Sequence, residues 1–104
     1  MDVPARHEWT FQARYPHLDA LVPAAFEQLG WLLRETSEGR WHARVRTNLA
    51  SWAGESVTVA VAGTTVYVES VSAMPTAVID WGKNRRNTRR FAAMLHELGN
   101  GATA

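Results

Sequence analysis

Lys83, Arg85, Arg86, Arg89 and Arg90 place five positive charges within eight residues, in the stretch Asp80-Trp81-Gly82-Lys83-Asn84-Arg85-Arg86-Asn87-Thr88-Arg89-Arg90-Phe91. The chemistry open to such a cluster is the binding of an anion. On a helix Arg85 and Arg89 lie one turn apart, as do Arg86 and Arg90, which gives two parallel cationic ridges beside the stripe that carries Phe91. The cluster falls where a helix is expected to begin, and a helix start already carries about half a positive charge, so each cation there costs roughly 0.3–1 kcal/mol unless an anion offsets it. Two outcomes follow: the protein's own carboxylates, with Glu55, Glu69 and Asp80 as candidates, neutralise the arginines, or an external anion does.

A second cationic surface is encoded between residues 40 and 46, where Arg40, His42, Arg44 and Arg46 alternate with Trp41, Ala43 and Val45. Alternation of this kind puts the charges on one side of a strand and the apolar residues on the other. With Tyr67 and Glu69 as neighbours across a sheet, that face is a secondary candidate for meeting phosphates and bases; otherwise it is the solvated side of the sheet.

Other chemistry is poorly supplied. His7, His17, His42 and His96 show no metal-ligand spacing, and no acid completes a set with them. Cysteine is absent, as are a Gly-x-Ser-x-Gly elbow and a glycine-rich phosphate loop. No cofactor, no metal and no enzymatic activity are expected. A Glu55–Lys83 or Glu55–arginine pair reads as a structural tie between elements, because acid–base work also requires a cleft and a partner group.

The elements that position these residues follow from periodicity. His7 to Tyr15 alternates as a strand, with Trp9, Phe11 and Ala13 on its apolar side. Leu18, Leu21, Val22, Ala25, Phe26 and Leu29 form a helical stripe over about residues 17–29, interrupted by Pro23 and closed by Gly30. Strands are expected at 31–35, 40–46, 56–61 and 65–72, the last two joined by Ala62-Gly63-Thr64 as a hairpin. A final helix begins near Asn84, buries Asn84, Asn87, Thr88, Phe91, Met94 or Leu95, and Leu98, and stops at Gly99-Asn100-Gly101. Asn84 is expected to cap it.

The expected fold is therefore α+β: a five-stranded antiparallel sheet with two helices on one face, in the order β-α-β-β-β-β-α. The same order occurs in the TATA-box-binding-protein repeat, a likeness of topology that assigns no function. A chain of 104 residues is one domain, ordered over about 6–99, able to bury about 60–68% of its unfolded surface without a disulfide. No apolar run is long enough to span a bilayer and the first residues lack a signal peptide's apolar stretch, so a cytoplasmic protein is expected. Net charge is +1, but residues 1–82 carry six basic and nine acidic side chains, so the positive charge is concentrated in the arginine-rich segment.

Ser51-Trp52-Ala53-Gly54-Glu55 and Asp80-Trp81-Gly82-Lys83-Asn84-Arg85-Arg86-Asn87, with Phe91 following, resemble an uncharacterised family of small bacterial domains. In that family a similar Trp-x-Gly-Glu turn precedes a hairpin and a Trp-Gly-Lys-Asn-x-x-Asn segment opens the last helix. The likeness spans about Trp31 to Leu98 and implies a structural role for Trp52, Gly54, Glu55, Asp80, Trp81, Gly82, Asn84 and Asn87, with no activity attached. Three functional readings remain open from the residues: a binding module for nucleic acid or an acidic protein or membrane surface, an interaction or structural domain that forms a homodimer, and a small-ligand pocket lined by Trp31, Trp41 and Trp81.

Overall fold

A computed structural model describes residues 6–45, 54–72 and 83–103. The chain order is β1 (Arg6–Gln12), α1 (Leu18–Leu29), β2 (Leu32–Ser37), β3 (Arg40–Val45), β4 (Glu55–Ala62), β5 (Thr65–Ser72) and α2 (Lys83–Thr103). Among the described residues the strands form one antiparallel sheet in the order β1-β5-β4-β3-β2. The α+β class and the antiparallel sheet carrying two helices agree with the sequence reading.

Alternation dictates which side of the sheet the helices cover. Val57 and Val59 of β4, Val66 and Val68 of β5, and Trp41, Ala43 and Val45 of β3 are all buried. They meet Val22, Ala25 and Phe26 of α1 and Phe91 and Leu95 of α2 in a single core. Helix α1 lies over β2, β3 and β4, α2 over β5, β1 and β4, and the two helices touch each other. Their junction is aromatic. The Phe26 and Phe91 rings lie 5.5 Å apart, and Trp31 stacks on Phe91 at 6.5 Å with 21° between the planes. Trp31 and Trp41 are therefore core residues, and Trp81, the third residue of the expected pocket, lies outside the described residues.

Helix α1 starts at His17, which adopts a left-handed backbone (φ 60°), and ends at Gly30 (φ 74°), whose N–H reaches the Glu27 carbonyl. Pro23 lies inside α1 without ending it. The hydrogen bond it forgoes belongs to the carbonyl of Asp19, an exposed residue of the first turn where a carbonyl can be solvated.

Among the differences from the sequence reading, three have a clear local reason. Strand β1 ends at Gln12, and Ala13 instead bonds the Thr64 carbonyl at 2.7 Å and turns into the core. Trp9, expected on a buried face, is 40% exposed, since among the described residues β1 ends the sheet with β5 as its one neighbour. Helix α2 does not stop at Gly99 but runs on to Thr103. Gly99 is buried against the Tyr15 ring, and a Cβ there would sit 2.5 Å from two ring carbons. The glycine permits a close approach and does not terminate the helix. Tyr15 is fixed in turn by a 2.6 Å hydrogen bond between its hydroxyl and His96 Nδ1, one turn earlier on α2.

This gives opposite expectations for two neighbouring glycines. Gly99→Ala forces the Tyr15 ring aside and is expected to lower stability by about 1–3 kcal/mol. Gly101→Ala, where nothing lies within 4 Å of the new methyl, is expected to raise stability by up to about 1 kcal/mol through helix propensity. Urea unfolding midpoints of the two variants check both signs; stabilisation by Gly99→Ala would contradict the close-approach role.

Candidate functional site

The inward face of the first turns of α2 is polar, which is unusual for a helix packed on a valine-rich sheet. Asn84, Asn87 and Thr88 are fully buried, together with Ser70 of β5 and, at 3% exposure, Glu55 of β4. They form a connected chain. The Ser70 hydroxyl donates to Asn84 Oδ1 at 2.7 Å, Asn84 Nδ2 donates to Ser72 Oγ at 3.0 Å, and Asn87 Nδ2 donates to Ser70 Oγ at 3.1 Å and to Glu55 Oε1 at 3.2 Å. The Glu55 carboxylate fixes the orientation of the Asn87 amide, since the reverse would set two acceptors face to face. The consequence is that buried Asn87 Oδ1 finds no hydrogen-bond donor.

Thr88 extends the chain to the sheet edge. Its hydroxyl donates to the Arg85 carbonyl at 3.0 Å and lies 2.8 Å from His7 Nδ1. A hydroxyl has one proton, so His7 must be the donor at Nδ1. Glu55 is thus committed to Asn87, and the expected tie to an arginine is not what it makes. Asn84 is likewise no cap: it lies inside α2 and bonds across to β5.

With Asn84, Asn87, Thr88 and Phe91 turned inward, helical geometry turns Arg85, Arg86, Arg89 and Arg90 outward, and all four are exposed. Ion pairs among the described residues join Arg6 to Glu8 at 3.5 Å and to Glu69 at 3.7 Å. Among the same residues none involves these four arginines. They line, with Ala93, a shallow groove of about 490 Å³. A second groove of about 370 Å³ shares Arg85 and Arg89 with the first and is completed by His7, Glu8 and Trp9 of β1. Arg46, Trp52, Asp80, Trp81 and Gly82, with the side chain of Lys83, lie outside the described part of the structure. Gly54 is within it, buried in a left-handed backbone (φ 70°) just before β4.

The secondary face lies on the other side of the sheet. The pairing register sets Arg40, Ala60, Tyr67 and Thr10 in one row and His42, Thr58, Glu69 and Glu8 in the next. Arg44 faces the same way, opposite Ser56. Arg40, His42, Thr58, Tyr67 and Glu69 line a concavity of about 380 Å³ there. His42 Nδ1 shares a 3.0 Å hydrogen bond with Thr58 Oγ1. Glu8 and Glu69 stand directly opposite each other, and Arg6 bridges both. The face is therefore mixed in charge rather than cationic throughout. Burial, then the hydrogen bond to Glu69 and its negative charge, with a smaller effect of Glu8, push the Tyr67 phenol from 10.0 up to about 12.

Trp9 is the site residue that sequence reasoning missed. The alternation of β1 placed it with core residues, and nothing local revealed that its strand lies at the sheet edge beside α2. Among the described residues no three histidine or carboxylate side chains converge as a metal set, and no helix is long and apolar enough to cross a membrane. Neither a family model nor a curated protein matches the chain.

Two outcomes test the geometry. Asn84→Ala leaves the Ser70 hydroxyl without its acceptor in a dry site and is expected to cost about 1–3 kcal/mol in a urea melt; an unchanged midpoint would mean the buried chain is not formed. A raised phenol contributes stability that is fully present below pH 10 and lost as pH rises through about 12. Tyrosinate absorbance is therefore expected to show one of the two tyrosines ionising late, assignable by its loss in Tyr67→Phe and brought down by Glu69→Gln. Ionisation of Tyr67 near its ordinary value would contradict the environment described.

Proposed function

We propose that the chain is a non-catalytic binding module whose partner is anionic and is held by Arg85, Arg86, Arg89 and Arg90, with Lys83 at the start of the same helix. The observation that carries this reading is the outward row of four exposed guanidinium groups, for which the described residues supply no carboxylate partner. Helix α2 holds the row rigidly because the opposite side of its first turns is bonded into the sheet, so little conformational freedom is lost when a ligand is engaged. We read the topology as similar to the TATA-box-binding-protein repeat, a likeness that leaves the function to be argued from the site.

Binding by such a surface is electrostatic and so depends on salt. With about four phosphates of a DNA duplex contacted, log K is expected to fall against log salt with a slope of about −3.6, taking about −0.9 per phosphate. Each Arg→Ala change in the row is expected to flatten the slope by about one phosphate's share and to weaken all sequences alike. Fluorescence anisotropy with labelled DNA and RNA across a salt series, together with sedimentation with anionic vesicles, measures this. Absence of binding to every one of these polyanions at low salt would remove the proposal.

A further inference from the structure

We infer that the partner is a single-stranded nucleic acid, with a base stacked on Trp9 and the flanking phosphates held by Arg85 and Arg89. This rests on the anion-binding reading and narrows it. The arginines alone do not distinguish among polyanions; the aromatic ring beside them does. Trp9 is one of two large apolar side chains among the described residues left exposed, at 40%. It closes the groove that Arg85 and Arg89 share with the arginine-lined groove of α2. The two concavities share these arginines and therefore form one track, which runs from the solvent face of α2 to β1.

The ring is braced by its neighbour along the strand. Phe11 lies 5.7 Å from Trp9 at a 55° tilt, and Phe11 packs at 5.5 Å on His96, which the Tyr15 hydroxyl holds. An exposed indole held by a neighbouring ring offers a base a stacking surface, and stacking of this kind tolerates any base. The adjacent arginines supply cations one helical turn apart for the backbone that carries the base. Glu8, which also lines the groove, is held by Arg6 at 3.5 Å. A duplex keeps its bases stacked internally and offers this ring nothing. An anionic bilayer would take the ring into its headgroup region rather than stack on it, and the vesicle arm of the test separates that occupant from a base.

The test compares a labelled oligothymidylate with a base-free deoxyribose-phosphate strand of the same length, by anisotropy at low salt. Wild-type protein is expected to prefer the strand with bases. Trp9→Ala is expected to lose about tenfold on oligothymidylate, within the range measured for removal of one stacking ring, and to leave affinity for the base-free strand unchanged. Trp9→Phe should recover most of that loss. Arg89→Ala should weaken both strands and flatten their salt dependence. Equal oligothymidylate affinity of wild type and Trp9→Ala would overturn the stacking inference while leaving the anion-binding reading standing. Preference for duplex DNA or anionic vesicles over the single strand would do the same. Failure of both strands, of duplex DNA and of anionic vesicles alike to bind at low salt would overturn the two together.

Discussion

The first two turns of α2 are held to the sheet by hydrogen bonds rather than by apolar contact, and the rest of the molecule's surface chemistry depends on that attachment. Asn84, Asn87 and Thr88 bond to Ser70, Ser72, Glu55 and His7, so the rotation of the helix about its axis is specified by donors and acceptors that must match. An apolar interface tolerates some slippage; a buried polar one is costly to leave half-satisfied. Once this register is fixed, Arg85, Arg86, Arg89 and Arg90 have one direction left to point.

The same attachment lets the helix begin with cations. A helix start repels positive charge, yet the helix does not rely on its own end for stability: Phe91 and Leu95, fully buried, anchor the turns that follow. Tertiary packing and the polar chain outweigh an unfavourable end effect of about 0.3–1 kcal/mol per cation. A fold that holds such charges with no carboxylate partner among its described residues carries a surface suited to a ligand that brings its own negative charge. The opposite face of the sheet differs in kind, because Arg6 bridges Glu8 and Glu69 there and Tyr67 is bonded to Glu69. Its charges are largely answered within the protein.

Much of this was legible in the chain. The inward set Asn84, Asn87, Thr88, Phe91 and Leu98 followed from helical spacing alone, and with it the outward arginines. The valine alternation of β4 and β5 located the covered face of the sheet. What was not legible depended on contacts distant in sequence. Gly99 has the chemistry of a helix stop, and its role as a slot for Tyr15 exists only once β1 and its following turn lie against α2. Asn84 is a favoured cap in isolation, but buried next to Ser70 it is worth more as a cross-link. Trp9 shares the alternation of Phe11 and Ala13, and its exposure is set by strand order, which periodicity does not encode. Glu55 carried a charge that suggested an arginine, while the nearer amide of Asn87 takes it.

The central claim is that the arginines of α2 are left for an external anion, as their lack of an ion pair among the described residues indicates. Urea unfolding of a variant carrying Arg85→Gln, Arg86→Gln, Arg89→Gln and Arg90→Gln, at low salt and without ligand, tests it most directly. The account predicts stability equal to the parent or higher, by about 0.3–1 kcal/mol for each first-turn cation removed. A loss of more than about 1 kcal/mol, beyond what exposed charges contribute, would show those guanidinium groups already engaged by the protein itself and contradict the account.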